Sequence, residues 1–292
     1  MLSGILVMDK PKDWTSHDVI AKLRGILKQK RIGHGGTLDP MATGVLPVFV
    51  GRATRAAEFC ENAEKEYVAE ITLGIVTDTQ DITGSILEEN FVTAAVNDLL
   101  DILPMFRGEQ KQVPPMYSAV KQGGKKLYEL ARKGIEVERK PRDIFISKLE
   151  LISSGKEANY TLNITCSKGT YIRTLCHDIG AALGCGATLS ALRRTRAGVY
   201  NIDKTVTLDE VSAAASSDTL ANLLLPVDSI FSEISDITLG ESDSRKVKNG
   251  VRIEVSGCEN GKYRVYAPNG EFLLLGDVRF GQFRTIKSFF EV

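Results

Sequence analysis

The sequence lacks the cysteine pattern of a disulfide-bonded or zinc-binding protein. Its 292 residues contain five cysteines, an odd number with no C-x-x-C pair among them. The spacing of Cys176-His177 and Cys185 fits no standard zinc site, and no fourth ligand is evident in the sequence. We therefore expect reduced thiols, with neither a disulfide framework nor a metal site.

A long apolar run is also missing. No stretch approaches the roughly 20 apolar residues of a membrane span. The stretch before Asp9 has no basic region of the kind that opens a signal peptide. Hydrophobic residues make up 43% of the chain and charged residues 25%, which is typical of a globular protein with a sizeable core. We expect a cytoplasmic protein that contacts no membrane.

The chain has no net charge, because 37 Lys and Arg residues balance 37 Asp and Glu residues. A basic nucleic-acid-binding surface, if there is one, must therefore be local. Such a region lies between Arg107 and Arg142, where Pro114-Pro115 and Gly123-Gly124 interrupt the chain. Its basic residues include Lys111, Lys121, Lys125, Lys126, Arg132, Lys133, Arg139 and Lys140. A second charge run, from Lys22 to Arg31, is typical of a solvated helix face, although it leads directly into a glycine-rich loop.

That loop places one carboxylate, Asp39, among glycines and before Pro40. Neither G-x-x-x-x-G-K-[ST] nor G-x-G-x-x-G fits the loop, which excludes a standard phosphate cradle. Glycines permit unusual backbone angles and proline fixes the turn, so the carboxylate can be held in one orientation. From the residue types alone, Asp39 is either a nucleophile or general base, or an ordinary turn-capping residue.

The periodicity predicts a mixed α/β (α+β) fold around a mostly antiparallel sheet. A helix capped by Thr15 or Ser16 and another over residues 93–103 show apolar stripes at helical spacing. Ser153 to Glu157 would join two strands as a hairpin, and a helix follows Gly169. The other predicted strands cover residues 5–8, 45–50, 67–73, 145–152, 160–166 and 187–196. From Ser229 onward, short strands and Asn-Gly turns predict a small all-β module.

The segment H-G-G-T-L-D-P-M-A-T-G-V-L-P, residues 34–47, resembles the signature of the TruB family of bacterial tRNA pseudouridine-55 synthases. Three further stretches agree in the same order along the chain. They are Asp9-Lys10-Pro11 with Thr15-Ser16, Lys65-Glu66-Tyr67, and Cys166-Ser167-Lys168-Gly169-Thr170-Tyr171-Ile172-Arg173. The resemblance extends from about residue 4 to about residue 200 and is much weaker beyond.

The resemblance implies a role for six residues of this chain. Asp39 would be the catalytic nucleophile and Arg173 its neighbour. The substrate contacts would be His34, Tyr67, Tyr171 and Leu192. Each has an ordinary structural alternative: a solvent-exposed arginine, core tyrosines, or a hydrogen-bonding histidine in a loop. Lys10 is a supporting candidate only.

The resemblance also implies an architecture and a substrate. A catalytic domain would span residues 1–228, with a mobile basic thumb at about 108–142, and a small β domain similar to PUA domains would span 229–292. The expected reaction converts uridine 55 in the T-loop of tRNA to pseudouridine on a flipped-out base. We expect no cofactor, no obligate protein partner and a monomer.

Pseudouridine formation breaks the N1–C1′ bond and rejoins the uracil through C5, so one carboxylate suffices and no redox step is needed. The sequence does not choose between covalent addition and ribose elimination. Two other functions stay open: a guide-RNA-dependent pseudouridine synthase subunit, and an RNA-binding or tRNA-folding helper. A carboxylate hydrolase ranks last because Asp39 has no evident paired acid.

Overall fold

The computed structural model describes residues 2–155 and 158–290. The strands are β1 (Gly4–Lys10), β2 (Ile32–His34), β3 (Thr43–Val50), β4 (Lys65–Leu73), β5 (Ile75–Thr77), β6 (Ile86–Glu89), β7 (Gly108–Gln112), β8 (Lys121–Gln122), β9 (Lys125–Lys126), β10 (Arg142–Ser154), β11 (Asn159–Cys166), β12 (Ala187–Ala197), β13 (Tyr200–Asn201), β14 (Asp236–Thr238), β15 (Ile253–Glu254), β16 (Gly261–Tyr266), β17 (Phe272–Arg279) and β18 (Gln282–Ser288). The α-helices are α1 (Ser16–Leu27), α2 (Ala57–Asn62), α3 (Val96–Ile102), α4 (Leu127–Ala131), α5 (Ile172–Ala182), α6 (Leu208–Ser216) and α7 (Glu241–Lys248). Short 3₁₀ segments cover Gly51–Ala56, Leu103–Phe106, Ile202–Lys204, Leu220–Leu223 and Val227–Phe231.

One large sheet organises the first three quarters of the chain. Its strand order is β1-β3-β12-β4-β11-β10-β7, with β2 added to β3 and β13 to β12. Among the described strands of this sheet, β12 and β3 pair in parallel and the remaining pairs are antiparallel. The predicted mixed fold with a mostly antiparallel sheet is confirmed.

Strand β4 shows why the sequence pattern was informative. Tyr67, Ala69, Ile71 and Leu73 alternate along it, and all four side chains are buried in one apolar cluster. Successive residues of a strand point to opposite faces, so this alternation puts one face of the strand into the core. The same cluster receives apolar residues of α5, and the first turn of α5 therefore lies against this face.

Helix α1 begins at a capping box. The Thr15 side chain accepts a hydrogen bond from the Asp18 backbone, and the Asp18 carboxylate accepts one from the Thr15 backbone. The predicted helix is confirmed, and its stripe of Val19, Ile20 and Leu23 is buried against the sheet. The charged residues from Lys22 to Arg31 are exposed.

Two sequence predictions of helical content were wrong in detail. The helix expected over residues 93–103 is shorter, because the Asp98 carboxylate caps the backbone at Ala95 and the helix starts only at Val96. Val96 and Leu100 of its expected stripe are exposed, while Leu99 and Leu103 are buried. The C-terminal module is not all-β, because α7 lies within it. Only two residues of α7, Ser244 and Val247, are buried, so the sequence shows no apolar stripe there.

The hairpin predicted from the two alternating segments is present, with β10 and β11 paired antiparallel. Part of its turn, residues 156 and 157, lies outside the described residues. After residue 235 a second sheet forms with the order β14-β16-β17-β18-β15. The Pro268-Asn269-Gly270 turn joins β16 and β17 as expected.

The basic region between Arg107 and Arg142 leaves the large sheet and returns to it at a single pair of residues. Gln112, the last residue of β7, pairs with Arg142, the first residue of β10. Residues 113–141 therefore form the excursion itself, which we call the insertion, and it contains β8, β9 and α4. Throughout residues 2–155 and 158–290, no helix is both long enough and apolar enough to cross a membrane.

Candidate active site

The Asp39 loop connects β2 to β3 and is fixed on both sides of the carboxylate. The Ser16 hydroxyl donates to the Leu38 carbonyl (3.0 Å) and accepts from the Leu38 N–H (2.8 Å). Asp13 N–H donates to the Pro40 carbonyl at 2.8 Å, and Ala42 N–H donates to the Asp39 carbonyl at 3.1 Å. The start of α1 thus holds the backbone around Asp39 in one conformation.

Gly44 is required by close packing against β12. Its φ is +99°, a conformation that side chains rarely adopt, and a Cβ there would meet the Arg194 carbonyl oxygen at 2.3 Å. The glycine thus permits the short parallel contact of β3 with β12. This contact brings the end of the Asp39 loop to the strand that carries Leu192 and Arg194.

Arg173 forms an ion pair with Asp39. Its side chain is only 5% exposed, whereas that of Asp39 is 39% exposed, and Arg173 Nε lies 2.9 Å from Asp39 Oδ2. The Nε–H bond does not point at an acceptor well enough for a hydrogen bond within the described structure, so the contact is one of charge. A carboxylate that faces solvent on one side and a buried guanidinium on the other is available to a substrate and held in place.

The remaining guanidinium nitrogens bind two carbonyls and a second carboxylate. Nη1 donates to the Thr79 carbonyl at 2.9 Å and lies 3.6 Å from Asp81 Oδ2, while Nη2 donates to the Tyr117 carbonyl at 3.0 Å. Asp81 is buried and accepts hydrogen bonds from the Thr83 backbone and hydroxyl. The buried arginine therefore has a negative charge on each side, which offsets the cost of removing it from water.

Tyr67 and Leu192 lie on one face of the β4–β12 pair. Tyr67 is opposite Arg194 and Leu192 is opposite Ala69, so the two side chains are diagonal neighbours. Both are 8% exposed and belong to the apolar cluster that contains Leu38, next to Asp39. Burial raises the pKa of the Tyr67 hydroxyl, so this ring is neutral at physiological pH. The arrangement is an apolar wall beside the carboxylate.

Tyr171 comes two residues before Arg173, and His34 comes five residues before Asp39. Burial raises the pKa of the Tyr171 hydroxyl, with a smaller contribution from the negative charge of Asp39. His34 lies on β2, and its ring packs edge-on against that of His17, with 5.9 Å between centroids. Burial lowers the pKa of His34 to about 4, helped by the charges of His17 and Arg194, so the ring is neutral at pH 7.

Three buried cations lie beneath the loop, and the sequence patterns did not reveal this. Lys10 is fully buried, and its ammonium donates to the carbonyls of Pro11, Trp14 and Pro40 at 2.8, 2.5 and 3.2 Å. Arg194 is 1% exposed and donates to the carbonyls of Val45 (2.7 Å) and Gly36 (3.1 Å). Lys65 likewise donates to three carbonyls, those of Cys60, Glu61 and Ala63. Lys10 and Arg194 thus fix the main chain of the Asp39 loop at Pro40 and Gly36, whereas Lys65 holds the end of α2. Together they give the surroundings of the loop positive potential.

The sequence did not reveal Asp81 as a partner of Arg173, and the residue pattern alone favoured an exposed Arg173. Arg173 lies off the apolar stripe of α5, which favours an exposed position, but the carbonyls of Thr79 and Tyr117 receive it from other segments. A turn signal at Asp78, Asp81 and Gly84 was visible, but nothing in it showed that Asp81 would face an arginine.

The chain is similar to known proteins over most of its length. The family model described as TruB family pseudouridylate synthase (N terminal domain) matches residues 24–172. A curated tRNA pseudouridine synthase B from Syntrophomonas wolfei is 45% identical over 281 residues, covering 94% of this chain and 93% of that protein. The chain belongs to the TruB family of pseudouridine synthases. Enzymes of this family are isomerases, and this chain is one of them.

Further comparisons extend the match through the C-terminal region. A model described as tRNA pseudouridylate synthase B C-terminal domain matches residues 173–232. The tRNA pseudouridine synthase B of Clostridium kluyveri is 40% identical and covers 99% of this chain and 100% of that protein. That of Bacillus subtilis is 44% identical over 260 residues, 87% of this chain and 84% of that protein. A chain in the crystal structure of a Cbf5-Nop10-Gar1 complex superposes with a TM-score of 0.76 at 26% identity, covering 98% of this chain and 85% of that chain.

Proposed function

We propose that this TruB-family protein converts uridine 55 in the T-loop of tRNA to pseudouridine. Support comes from curated tRNA pseudouridine synthase B relatives that match the chain almost end to end. The observation that carries the assignment to a site is the ion pair between Asp39 and Arg173 in the loop with the family signature. No other described carboxylate combines that loop with a buried cationic partner and a solvent-facing side.

In the proposed reaction the target uridine leaves its stack and enters the space above Asp39. Unstacking costs a few kcal/mol, which contacts with the apolar wall of Tyr67 and Leu192 offset. His34 and Tyr171 flank the entrance, and His34, neutral at pH 7, contacts either the vacated stack or a neighbouring nucleotide.

Asp39 is the proposed nucleophile. The N1–C1′ bond breaks, the uracil turns and a C5–C1′ bond forms. C5 loses its proton and N1 gains one, so the overall change is an isomerisation. One carboxylate serves both routes that achieve this, covalent addition and removal of a ribose proton in an elimination. Arg173 holds the Asp39 carboxylate in one orientation for either route, because the other guanidinium nitrogens are fixed by carbonyls.

We further propose that the chain acts as a cytoplasmic monomer without cofactor or obligate protein partner. The catalytic domain would span residues 1–228 and a PUA-like domain residues 229–292, with the insertion closing as a thumb on the T-arm phosphates. The first competing assignment is a guide-RNA-dependent synthase that works within a protein assembly. It stays open because the structural neighbour comes from a complex of several proteins, Cbf5, Nop10 and Gar1. The tRNA-folding helper is the second competitor.

One experiment separates these assignments. An unmodified tRNA transcript labelled with tritium at C5 of uridine is incubated with the isolated chain, with Asp39→Asn and with Asp13→Asn. Asp13 is an exposed carboxylate in the neighbouring loop and serves as the matched control. We expect tritium release by the wild type and Asp13→Asn, and loss of release in Asp39→Asn.

A transcript with cytidine at the T-loop position should release no tritium above background. Tight tRNA binding without release by the wild type would contradict the proposed activity and favour a guide-dependent or folding role.

A further inference from the structure

Gln112 joins the foot of the insertion to the start of α5. It is the last residue of β7, paired with Arg142, and the chain leaves the large sheet immediately after it. Its side chain is buried at 4% exposure. The amide Nε2 donates to the Tyr171 carbonyl at 3.0 Å, and its Oε1 accepts from the Tyr171 N–H at 2.8 Å. The nitrogen and the oxygen of one side-chain amide thus both hydrogen-bond to the main chain of one residue.

This residue, Tyr171, comes directly before α5 and two residues before Arg173. Its main chain is held by the Gln112 side chain in the way that a neighbouring strand would hold it, with one donor and one acceptor. The first turn of a helix has unsatisfied N–H groups and no strand partner of its own. The position of the first turn of α5 is therefore set by the foot of the insertion.

The insertion also contacts Arg173 directly. Arg173 Nη2 donates to the carbonyl of Tyr117, which lies in the insertion. The Tyr117 hydroxyl donates to Asp78 at 3.4 Å, and Asp78 is one residue from Thr79, whose carbonyl accepts Arg173 Nη1. A closed ring of contacts thus runs from Gln112 through Tyr171 and Arg173 to Tyr117, and back along the insertion.

Arg173 Nε is the guanidinium nitrogen that takes no part in this ring. It is buried, lies 2.9 Å from Asp39 Oδ2, and is not aligned for a hydrogen bond to an acceptor within the described residues. A small rotation of the guanidinium would align it with the carboxylate. One of the three remaining guanidinium contacts, that with the Tyr117 carbonyl, comes from the insertion, and the foot of the insertion holds Tyr171 two residues away. Movement of the insertion therefore changes that rotation.

We propose that Gln112 is a positioning residue that couples the insertion to the Arg173–Asp39 pair. When the insertion closes on RNA, Gln112 transmits its position to Tyr171, and Arg173 turns to align Nε with Asp39. The inference rests on the proposed function, because it assigns Gln112 a role in that reaction. Gln112 itself touches neither substrate nor carboxylate and acts through Arg173.

The first test is the substitution Gln112→Leu, which keeps the side-chain size and removes both hydrogen bonds. Misplacement of a catalytic group by about 1 Å costs roughly 100-fold in rate, so we expect kcat for tritium release to fall roughly 10- to 100-fold. We expect KM and the Kd for tRNA to change less than about threefold. Gln110→Leu is the matched control, since Gln110 lies on the same strand but donates to the Met105 and Arg107 carbonyls instead.

The second test uses protonation to restore the missing donor. In Gln112→Glu the ionised carboxylate accepts from Tyr171 N–H but repels the Tyr171 carbonyl, whereas the protonated carboxyl both accepts and donates. The rate of Gln112→Glu relative to the wild type should therefore rise as the pH falls through the pKa of the new carboxyl. The relative rate of Gln112→Leu should stay level over the same range.

Three outcomes would overturn the inference. They are an unchanged kcat in Gln112→Leu with a lower unfolding midpoint, an increase in KM with unchanged kcat, and a level pH profile for Gln112→Glu. The first would make Gln112 a structural brace, and the second would place its effect in RNA binding. A wild-type enzyme without activity would instead contradict the proposed function, which the first experiment already decides.

Discussion

At the scale of single residues, the site depends on how one buried guanidinium divides its contacts. Arg173 has Asp39 on one side at 2.9 Å and Asp81 on the other at 3.6 Å. Asp81 is held by Thr83, whereas Asp39 is half exposed and free to meet a substrate. Asp81 thus balances the charge of Arg173 without competing for the substrate.

Asp81→Asn tests that balance. The amide keeps an acceptor for Thr83 but removes the charge that faces Arg173, so the guanidinium gains freedom to turn away from Asp39. We expect single-turnover release of tritium to fall by roughly 10- to 100-fold, with tRNA affinity retained. Asp101→Asn, at an exposed position of α3, should leave the rate unchanged. A normal rate in Asp81→Asn would mean that the carbonyls alone orient Arg173.

Lys10 gives a prediction about pH. Burial lowers the pKa of Lys10 to about 8 from its usual value near 10.5, against the opposing attraction of Asp39. Between these two values the unfolded chain binds more protons at this residue than the folded chain does. The contribution of Lys10 to the free energy of unfolding therefore rises as the pH increases from about 8 to about 10.5.

The measurement is urea unfolding of the wild type, Lys10→Met and Lys12→Met at several pH values from 7 to 10. The difference in free energy of unfolding between the wild type and Lys10→Met should shift in favour of the wild type above pH 8. Lys12→Met, at a nearby exposed position, is the control for the loss of a lysine. A constant difference for Lys10→Met would show that Lys10 keeps an ordinary pKa in the fold.

At the scale of elements, the insertion concentrates the positive charge that the whole chain lacks. On α4, the Tyr128 ring contacts two cations, with Lys126 Nζ and the Arg132 guanidinium carbon each 5.4 Å from its centroid. Such contacts hold long basic side chains in place. Lys125 and Lys133 extend the same charged surface into solvent.

Neutralising this surface should weaken tRNA binding in a salt-dependent way. In a variant with Lys125, Lys126, Arg132 and Lys133 replaced by Gln, we expect a higher Kd and a flatter plot of log Kd against log salt concentration. Each lost phosphate contact removes about 0.7 to 0.9 from that slope. The charge-matched control replaces exposed cations elsewhere. They are Lys204, Arg245, Lys262 and Arg279. If both variants show the wild-type slope, the insertion does not bind phosphate.

The helices and strands also show which parts of the fold could be predicted from the sequence. Strands such as β4 were predictable because alternate residues enter one core, and α1 was predictable because a capping box and an apolar stripe coincide. Helix α7 was not, because it is stabilised by charges at its ends and buries only Ser244 and Val247. Local pattern reveals a helix only when the helix has an apolar face to bury.

Only those site residues that lie within the family motifs could be predicted from the sequence. Asp39 was a candidate from its glycine-rich loop, and the resemblance selected it as the nucleophile and added His34 and Tyr67. In the structure, His34 lies on β2 directly before this loop and Tyr67 lies on β4. Asp81 and Gln112 could not be inferred, because each acts through a partner supplied by a distant segment. Single-sequence patterns hold no information on which loops meet.

At the scale of the whole molecule, the small sheet is attached to the large one by an aromatic cluster. Phe231, Phe272 and Phe289 pack together, with centroids 5.3 to 6.1 Å apart, and share a cluster with Ile5 and Phe49 of the large sheet. An ion pair joins Lys287 to Glu58 at 2.7 Å. The two sheets therefore share buried apolar surface and should unfold together.

Thiol labelling measures that shared unfolding. Burial raises the pKa of Cys60 and Cys166 to about 11 and of Cys176 to about 12, and also raises the pKa of Cys185. These four thiols are buried, whereas Cys258 is partly exposed. We expect one cysteine to react rapidly with a thiol reagent in the native protein and four to react only at the rate of unfolding. The fully denatured chain, with five reactive thiols, is the control. Fast labelling of a second cysteine would reveal local opening around that residue.

The strand order has a consequence for the way the chain is made. Strands β3 and β4 follow each other in sequence, yet β12 lies between them in the sheet. During synthesis β3 and β4 emerge long before β12, so the middle of the sheet must stay open until the chain has passed Ala197. Pairings over such a distance form slowly, since a long loop must close first. Asp39 therefore leaves the ribosome well before Arg173 and β12 have been synthesised. A nascent chain that ends before Ala197 thus has no assembled site with which to act on RNA.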